Sequence, residues 1–135
     1  MRVLIIGLPE SGKTTLMNKF KEWAKIDGTE IRRFMNDWDF SVDGRKKQAE
    51  RLGLIASVAD RDVVVSYICP THECMEVFLK NCPDAYVIWM DTVKESRYAD
   101  TNALWENPAY FDMRINDFGY VFEDIRKAIE KSDHN

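Results

Sequence analysis

One short run near the start carries the most explicit chemistry in the chain: Gly7-Leu8-Pro9-Glu10-Ser11-Gly12-Lys13-Thr14, with Thr15 behind it. The spacing is G-x-x-x-x-G-K-[ST], and each type has a reason. Glycines let backbone N–H groups curl around a β-phosphate, and a following helix N-terminus adds the positive end of its dipole. Lys13 has the length and charge to reach the β- and γ-phosphates, and the Thr14 hydroxyl suits Mg²⁺. The ligands expected from this run are ATP and Mg²⁺. A nucleotide triphosphatase usually also has an aspartate after a long apolar strand. "VVVSYI" ends without one; Asp91 follows the apolar run "AYVIWM" but reads equally well as a strand-end turn residue. No guanine-reading N-K-x-D string is present. This points away from motors and GTPases and towards a small-molecule kinase.

The elements around the loop must hold it in place. Val3 to Ile6 is continuously apolar and reads as a central parallel strand buried on both faces. Leu16, Met17, Phe20, Trp23 and Ala24 recur at helical spacing and predict a helix after the loop. Lys25 to Asp27 is at best a stub of strand. Ser41 has the type and place of an N-cap, with Asp43 in the first turn, and predicts a helix over 42–59. Val63 to Ile68 and Ala85 to Met90 read as two further buried strands, with a short helix after Pro70 and Thr71 carrying Met75, Phe78 and Leu79. The polar segment from Thr92 to Tyr110 has no clear periodicity. "FDMRI" is a candidate edge strand. A last helix is expected over 119–132, with Val121, Phe122, Ile125, Ala128 and Ile129 facing in. Strands alternating with helices predict an α/β chain: a three-layer P-loop NTPase fold with a mostly parallel central sheet, trimmed in its connections. Ligands of such sheets sit beyond the carboxyl ends of the strands. Gly7, Asp27, Tyr67 to Pro70 and Asp91 fall at those ends, so they are expected to converge.

Composition sets the outer bounds. The 135 residues suit one domain, 1–135, with one core. A net charge of −4 argues against a general nucleic-acid binder, so no nucleic-acid partner is expected, while local arginines can still hold a small anion. Cys69, Cys74 and Cys82 fit no zinc spacing and read as buried, reduced thiols, which suit a cytoplasmic protein. No apolar run approaches a membrane span, and "VLII" is too short for the core of a signal peptide.

The order of three segments resembles adenylylsulfate kinases. That family carries G-L-x-x-x-G-K-[ST]-T, then D-G-D-N-V-R, then G-F-S-x-x-D-R-x-x-N; this chain has "GLPESGKTT", "DGTEIR" and "DFSVDGRKKQ" in the same order and register. The family's I-S-P after a strand is similar to "ICP", and its V-D-T-P…R-D-P-K-G-L-Y to "MDTVKESRYADTNALW". The match looks closer still to short, phage-type members, and it runs from Arg2 to Ile115. The F-S-x-x-x-R segment discriminates, because the phosphate loop is shared by many kinases.

The resemblance implies an ATP-dependent transfer to the ribose 3′-OH of adenylylsulfate, a small-molecule acceptor. It implies a phosphate loop of Gly7 to Thr15, with Lys13 catalytic. Thr14 holds Mg²⁺ directly, and Asp27 orients it through water. Phe40 stacks on the acceptor purine, while Arg32 and Arg45 hold its phosphosulfate. Ile68 and Pro70 bring backbone to the purine edge, and Arg97 is a lid arginine that neutralises charge during transfer. Plainer readings stand beside these: Phe40 as core, Arg32 and Arg33 as a solvated helix start, Arg45, Lys46 and Lys47 as an exposed helix face, Arg97 as surface. Trp38 and Trp105 read as packing or lid residues, His72 as polar loop, and His134 as tail. The chain departs from the family pattern at Thr29 and Glu30, which replace D and N of D-G-D-N, at Gln48 in place of an asparagine, and at Asn102 in place of a lysine. Thr29 cannot take a proton as an aspartate would. Two alternatives therefore stay open: a kinase of this fold for another acceptor (a nucleoside, a nucleotide or a polynucleotide end), and a nucleotide-binding module with little turnover.

Overall fold

Apolar runs long enough to be buried on both faces build the middle of the sheet. The computed structural model describes residues 1–133, so His134 lies outside the described residues. Strand β1 (Arg2–Ile6) is central, β3 (Val63–Tyr67) and β4 (Tyr86–Met90) flank it, and β2 (Ala24–Asp27) and β5 (Met113–Ile115) form the edges. The order is β2-β3-β1-β4-β5 and every pairing is parallel. Period-two alternation sorts the side chains of β1. Leu4 and Ile6 face a core shared with Leu52, Ala56 and Phe78; Val3 and Ile5 face one shared with Leu16, Phe20 and Ile129. Those partners lie on helices α3 (Val42–Ser57) and α4 (His72–Asn81) for one face, and on α1 (Lys13–Asn18), the turn after it and α6 (Phe122–Asp133) for the other. This is the expected three-layer arrangement. No helix among the described residues is long and apolar enough to cross a membrane.

Several boundaries differ from the sequence reading. The first helix stops at Asn18 rather than running through Ala24. Lys19 and Phe20 donate their N–H groups to Leu16 and Met17, three residues back, which tightens and ends the turn. Phe20 is still fully buried, against Trp23 at 4.9 Å and Phe122 at 5.0 Å between ring centroids, and Ala24 opens β2 instead. A helix not expected from periodicity, α2 (Gly28–Met35), follows β2 directly. Another short one, α5 (Ala99–Leu104), lies in the segment without periodicity. His72 begins α4 rather than lying in a loop. Val121 is exposed, not inward, because α6 starts only at Phe122.

Candidate active site

The carboxyl ends of the strands meet as expected. Ile6 lies level with Tyr67 on one side and Trp89 on the other, Asp27 with Ser66, and Gly7 donates its N–H to the Ile68 carbonyl at 3.4 Å. The phosphate loop starts here. Gly7, Glu10 and Gly12 all have positive φ, at 156°, 69° and 95°. Gly7 is required on space as well: a Cβ there would meet Ser11 Oγ at 2.7 Å and the Met90 carbonyl at 2.8 Å. Leu8 and Ser11 are buried, whereas Thr14 and Thr15 are exposed at the start of α1.

Two polar groups in this loop lack the partners they are built for. Ser11 Oγ is buried and has no hydrogen-bond partner among the described residues. Lys13 Nζ donates to the Leu8 carbonyl at 2.8 Å and forms no ion pair within 4.0 Å among the described residues. Burial drags the Lys13 pKa down to about 8, only partly offset by the Asp27 charge. A desolvated ammonium and a ring of backbone donors are what a polyphosphate satisfies. The loop is braced from outside: Thr92 Oγ1 donates to the Ser11 carbonyl at 2.7 Å.

Asp27 caps helix α2. Its Oδ1 accepts the Thr29 N–H at 2.9 Å, while Oδ2 makes no hydrogen bond among the described residues. Thr29 and Glu30 lie in the exposed first turn. Gln48, deeply buried on α3, donates to the Gly28 carbonyl at 2.8 Å and accepts from Arg51 at 2.7 Å, so α3 holds the root of α2. Sequence reasoning treated Gln48 only as a departure from a pattern. Its position on the apolar stripe beside Ala49 and Leu52 was the available signal.

Phe40 is not core. It is 46% exposed, in the loop between α2 and α3, with the Arg32 guanidinium 4.5 Å and the Arg45 guanidinium 5.4 Å from its ring centroid. Both arginines are buried, so neither is the solvated residue of the plainer reading. Arg32 donates to the carbonyls of Asp37 (3.0 Å) and Asp39 (3.2 Å); burial lowers its pKa, and the nearby Asp37 carboxylate acts against that. Arg45 donates Nε to the Phe40 carbonyl at 2.8 Å. Its Nη2 lies 3.5 Å from Asp100 Oδ2 and 3.4 Å from Thr101 Oγ1 on α5. Ser41 caps α3 as expected, accepting from the Gly44 N–H at 3.1 Å. Gly44 allows the loop to lie this close: a Cβ there would come within 2.2 Å of the Asp39 carbonyl.

Arg97 is exposed in the loop before α5, with Nε 3.8 Å from Glu10 Oε1 of the phosphate loop. Pro70 accepts the Glu106 N–H at 2.7 Å, which ties the far side of α5 to the end of β3. Trp105 packs against the core and His72 Nε2 lies 2.7 Å from the Asn107 carbonyl, so both belong to that anchorage. Asp91 is bound by Arg114 from β5, whose Nε and Nη2 reach its Oδ2 at 2.9 and 2.5 Å. It is a strand-end brace. The three cysteines are free and buried, and burial pushes the Cys69 thiol up. Among the described residues, no group of three His, Cys, Asp or Glu side chains is assembled to hold a metal.

No protein-family model matches the chain, and no curated protein matches it by sequence. Solved structures do. An adenylylsulfate (APS) kinase of Mycobacterium tuberculosis, in complex with AMPPNP and APS, superposes with a TM-score of 0.77 at 18% identity, over 99% of this chain and 97% of that one. A gluconokinase from Sinorhizobium meliloti gives 0.66 at 14% identity over 98% and 91%. A shikimate kinase from Aquifex aeolicus gives 0.65 at 14% over 100% and 99%. The fold is that of the P-loop kinases. Identities this low establish the fold and leave the reaction to the site itself.

Proposed function

We propose that this chain is a phosphotransferase that moves the γ-phosphoryl group of ATP to the ribose 3′-OH of adenylylsulfate. The observation that carries the kinase part is the unsatisfied phosphate loop: among the described residues, a desolvated Lys13 with no carboxylate on it and a buried Ser11 Oγ with no partner, in a loop with positive φ at Gly7, Glu10 and Gly12. The acceptor part rests on Phe40, a half-exposed aromatic ring flanked by Arg32 and Arg45. The likeness to an APS kinase fold is in keeping with it.

In this reading Gly7 to Thr15 cradle the β- and γ-phosphates, and Lys13 leaves the Leu8 carbonyl to bridge them. Phe40 holds the purine, and Arg32 and Arg45 face the phosphosulfate, with Ile68 and Pro70 at the purine edge. The 3′-oxygen attacks the γ-phosphorus, the bond to the bridging β–γ oxygen breaks, and ADP leaves. Arg97 neutralises the charge spread over the transferring group. Thr14 and the free oxygen of Asp27 would hold Mg²⁺, directly and through water; the ion neutralises phosphate charge. The 3′-OH proton has no aspartate at position 29 to receive it. It passes late to solvent water or to an oxygen of the transferred phosphoryl group, which a loose transition state tolerates because most of the catalysis is positioning.

A second reading, transfer to another small acceptor, is favoured by one observation: Thr29 and Glu30 are exposed at the site mouth where the family has D and N. An ADP-release assay across adenylylsulfate, nucleosides, nucleotides, polynucleotide ends, gluconate and shikimate tests both. Turnover with adenylylsulfate alone is the expected result. Turnover with a different acceptor gives the site to the second reading, and ATP binding without any turnover makes the chain a nucleotide-binding module.

A further inference from the structure

The lid contains a small network that the proposed transfer does not yet use. Asn102, on α5, makes three hydrogen bonds to Ser96, the residue immediately before Arg97. Its Oδ1 accepts the Ser96 N–H at 2.8 Å and the Ser96 hydroxyl at 2.9 Å; its Nδ2 donates to the Ser96 carbonyl at 2.7 Å. Ser96 Oγ in turn accepts the Tyr98 N–H at 3.2 Å, so the backbone is held on both sides of Arg97. Both Asn102 and Ser96 are half-buried, while Arg97 between the anchored points is exposed.

The base of this staple is itself fixed. Thr101, next to Asn102, is buried and lies 3.4 Å from the Arg45 guanidinium of α3. Trp105, at the end of α5, donates its N–H to the Thr101 carbonyl at 2.9 Å, and Glu106 is tied to Pro70. A six-residue helix with this anchorage is a rigid platform, although α5 alone is too short to be stable. From it the staple aims one long side chain across the gap to Glu10 of the phosphate loop, at 3.8 Å. An arginine with many free rotors gains from having its backbone fixed, because less freedom is lost when it meets an anion.

We infer that Asn102 is a positioning residue for Arg97: it holds the 96–98 backbone so that the guanidinium stands over the outermost phosphate of a bound triphosphate. An asparagine does this with both ends of its amide, one accepting and one donating, which a lysine at that position cannot reproduce. The inference rests on the proposed phosphotransferase reading for Arg97, but not on the identity of the acceptor.

Its test therefore reads the nucleotide alone. The ratio of Mg²⁺·ADP to Mg²⁺·ATP dissociation constants, from titration calorimetry, measures the contact with the γ-phosphate. Arg97→Ala and Asn102→Ala should each lower the preference for ATP by about tenfold, the worth of one charge-assisted contact. The double variant should be no worse than Arg97→Ala, because the effect of Asn102 passes through that side chain. Asn102→Asp keeps the two accepted bonds and should recover part of the preference. An Asn102→Ala loss that persists at full size without Arg97 overturns the inference. So does an Asn102→Ala melting-temperature drop with an unchanged ATP preference, or an Arg97→Ala variant that still prefers ATP as the wild type does. ADP release with adenylylsulfate, measured on the same proteins, reports separately on the acceptor.

Discussion

The proposed donor half and the proposed acceptor half of the site are built in opposite ways. The phosphate loop grows out of the central strand, and its binding groups are backbone N–H donors whose directions are set by φ at Gly7, Glu10 and Gly12. For a polyphosphate to bind in this reading, the Lys13 side chain leaves its Leu8 carbonyl and the backbone stays as it is. The acceptor half is built from side chains on α2, α3 and the loop between them. There the arginines already serve the protein: Arg32 holds the carbonyls of Asp37 and Asp39, and Arg45 holds Phe40 and lies beside Asp100. A backbone cradle is indifferent to most side-chain changes; a side-chain pocket is retuned by one or two. A kinase fold can therefore keep its nucleotide and change its acceptor.

The sharpest way to break this contrast is Lys13→Ala, which removes the one side chain the cradle depends on. Turnover should fall by roughly 10²- to 10³-fold, as for loss of one preorganised electrostatic contact. ATP binding by calorimetry should fall with it, and binding of adenylylsulfate alone should not; unchanged ATP affinity would sink the phosphate-loop assignment. Next is Gly44→Ala, whose Cβ would press on the Asp39 carbonyl at 2.2 Å. It should cost about 1–3 kcal/mol of stability by overpacking and loosen the Phe40 loop. Acceptor KM should rise while the ATP dissociation constant of the folded protein stays put; an ATP defect of equal size would show that the two halves are not separate.

Phe40→Ala tests the acceptor half without disturbing the core, since the half-buried ring lies in the loop between α2 and α3 and belongs to neither core cluster. A stacking contact is worth roughly 1–3 kcal/mol per base, so KM for adenylylsulfate should rise about tenfold, with only the small drop in melting temperature that losing the Arg32 and Arg45 contacts brings. A stability loss with KM unchanged would return Phe40 to packing. Thr29→Asp restores a carboxylate beside the acceptor and should raise kcat several-fold, towards the lower range of general-base effects. It also puts a negative charge in the first turn of α2, a stabilising place worth about 0.3–1 kcal/mol. A drop in kcat would mean the site is rebuilt around threonine. The smallest effect is on pH. Lys13 has its pKa lowered to about 8 in the nucleotide-free protein, and a bound polyphosphate favours its charged form. ATP affinity should weaken as pH rises above 8, with proton uptake on binding visible in calorimetry across two buffers. By the same linkage Lys13 destabilises the empty fold below that pH, and this penalty is relieved as pH rises from 8 towards 10.5. A flat affinity profile would place the ammonium in water rather than in the loop.

The two halves also differed in how far the sequence revealed them. β1, β3 and β4 read directly, because continuous apolar runs bounded by polar residues have few other uses. The cap at Ser41 and the burial of the cysteines read equally well. Helix α2 did not, although Asp27 with Glu30 three residues on is a start signal and Asn36, at φ 49°, is a stop. Phe34 and Met35 are 85% and 50% exposed there, so the apolar residues do not mark a buried stripe. Helix α5 is too short to have a period at all.

What the sequence determined alone is the phosphate loop and the buried strands around it, since both depend on local spacing: glycines where a Cβ would clash, and apolar runs where the sheet is covered twice. What only the tertiary structure decided is where the arginines went. Arg32, Arg45 and Arg97 look alike in a sequence. Burial against Phe40 holds the first two, and the staple between Asn102 and Ser96 holds the third out towards the loop. A long charged side chain takes its role from the partners that fix its far end, and those partners come from other parts of the chain.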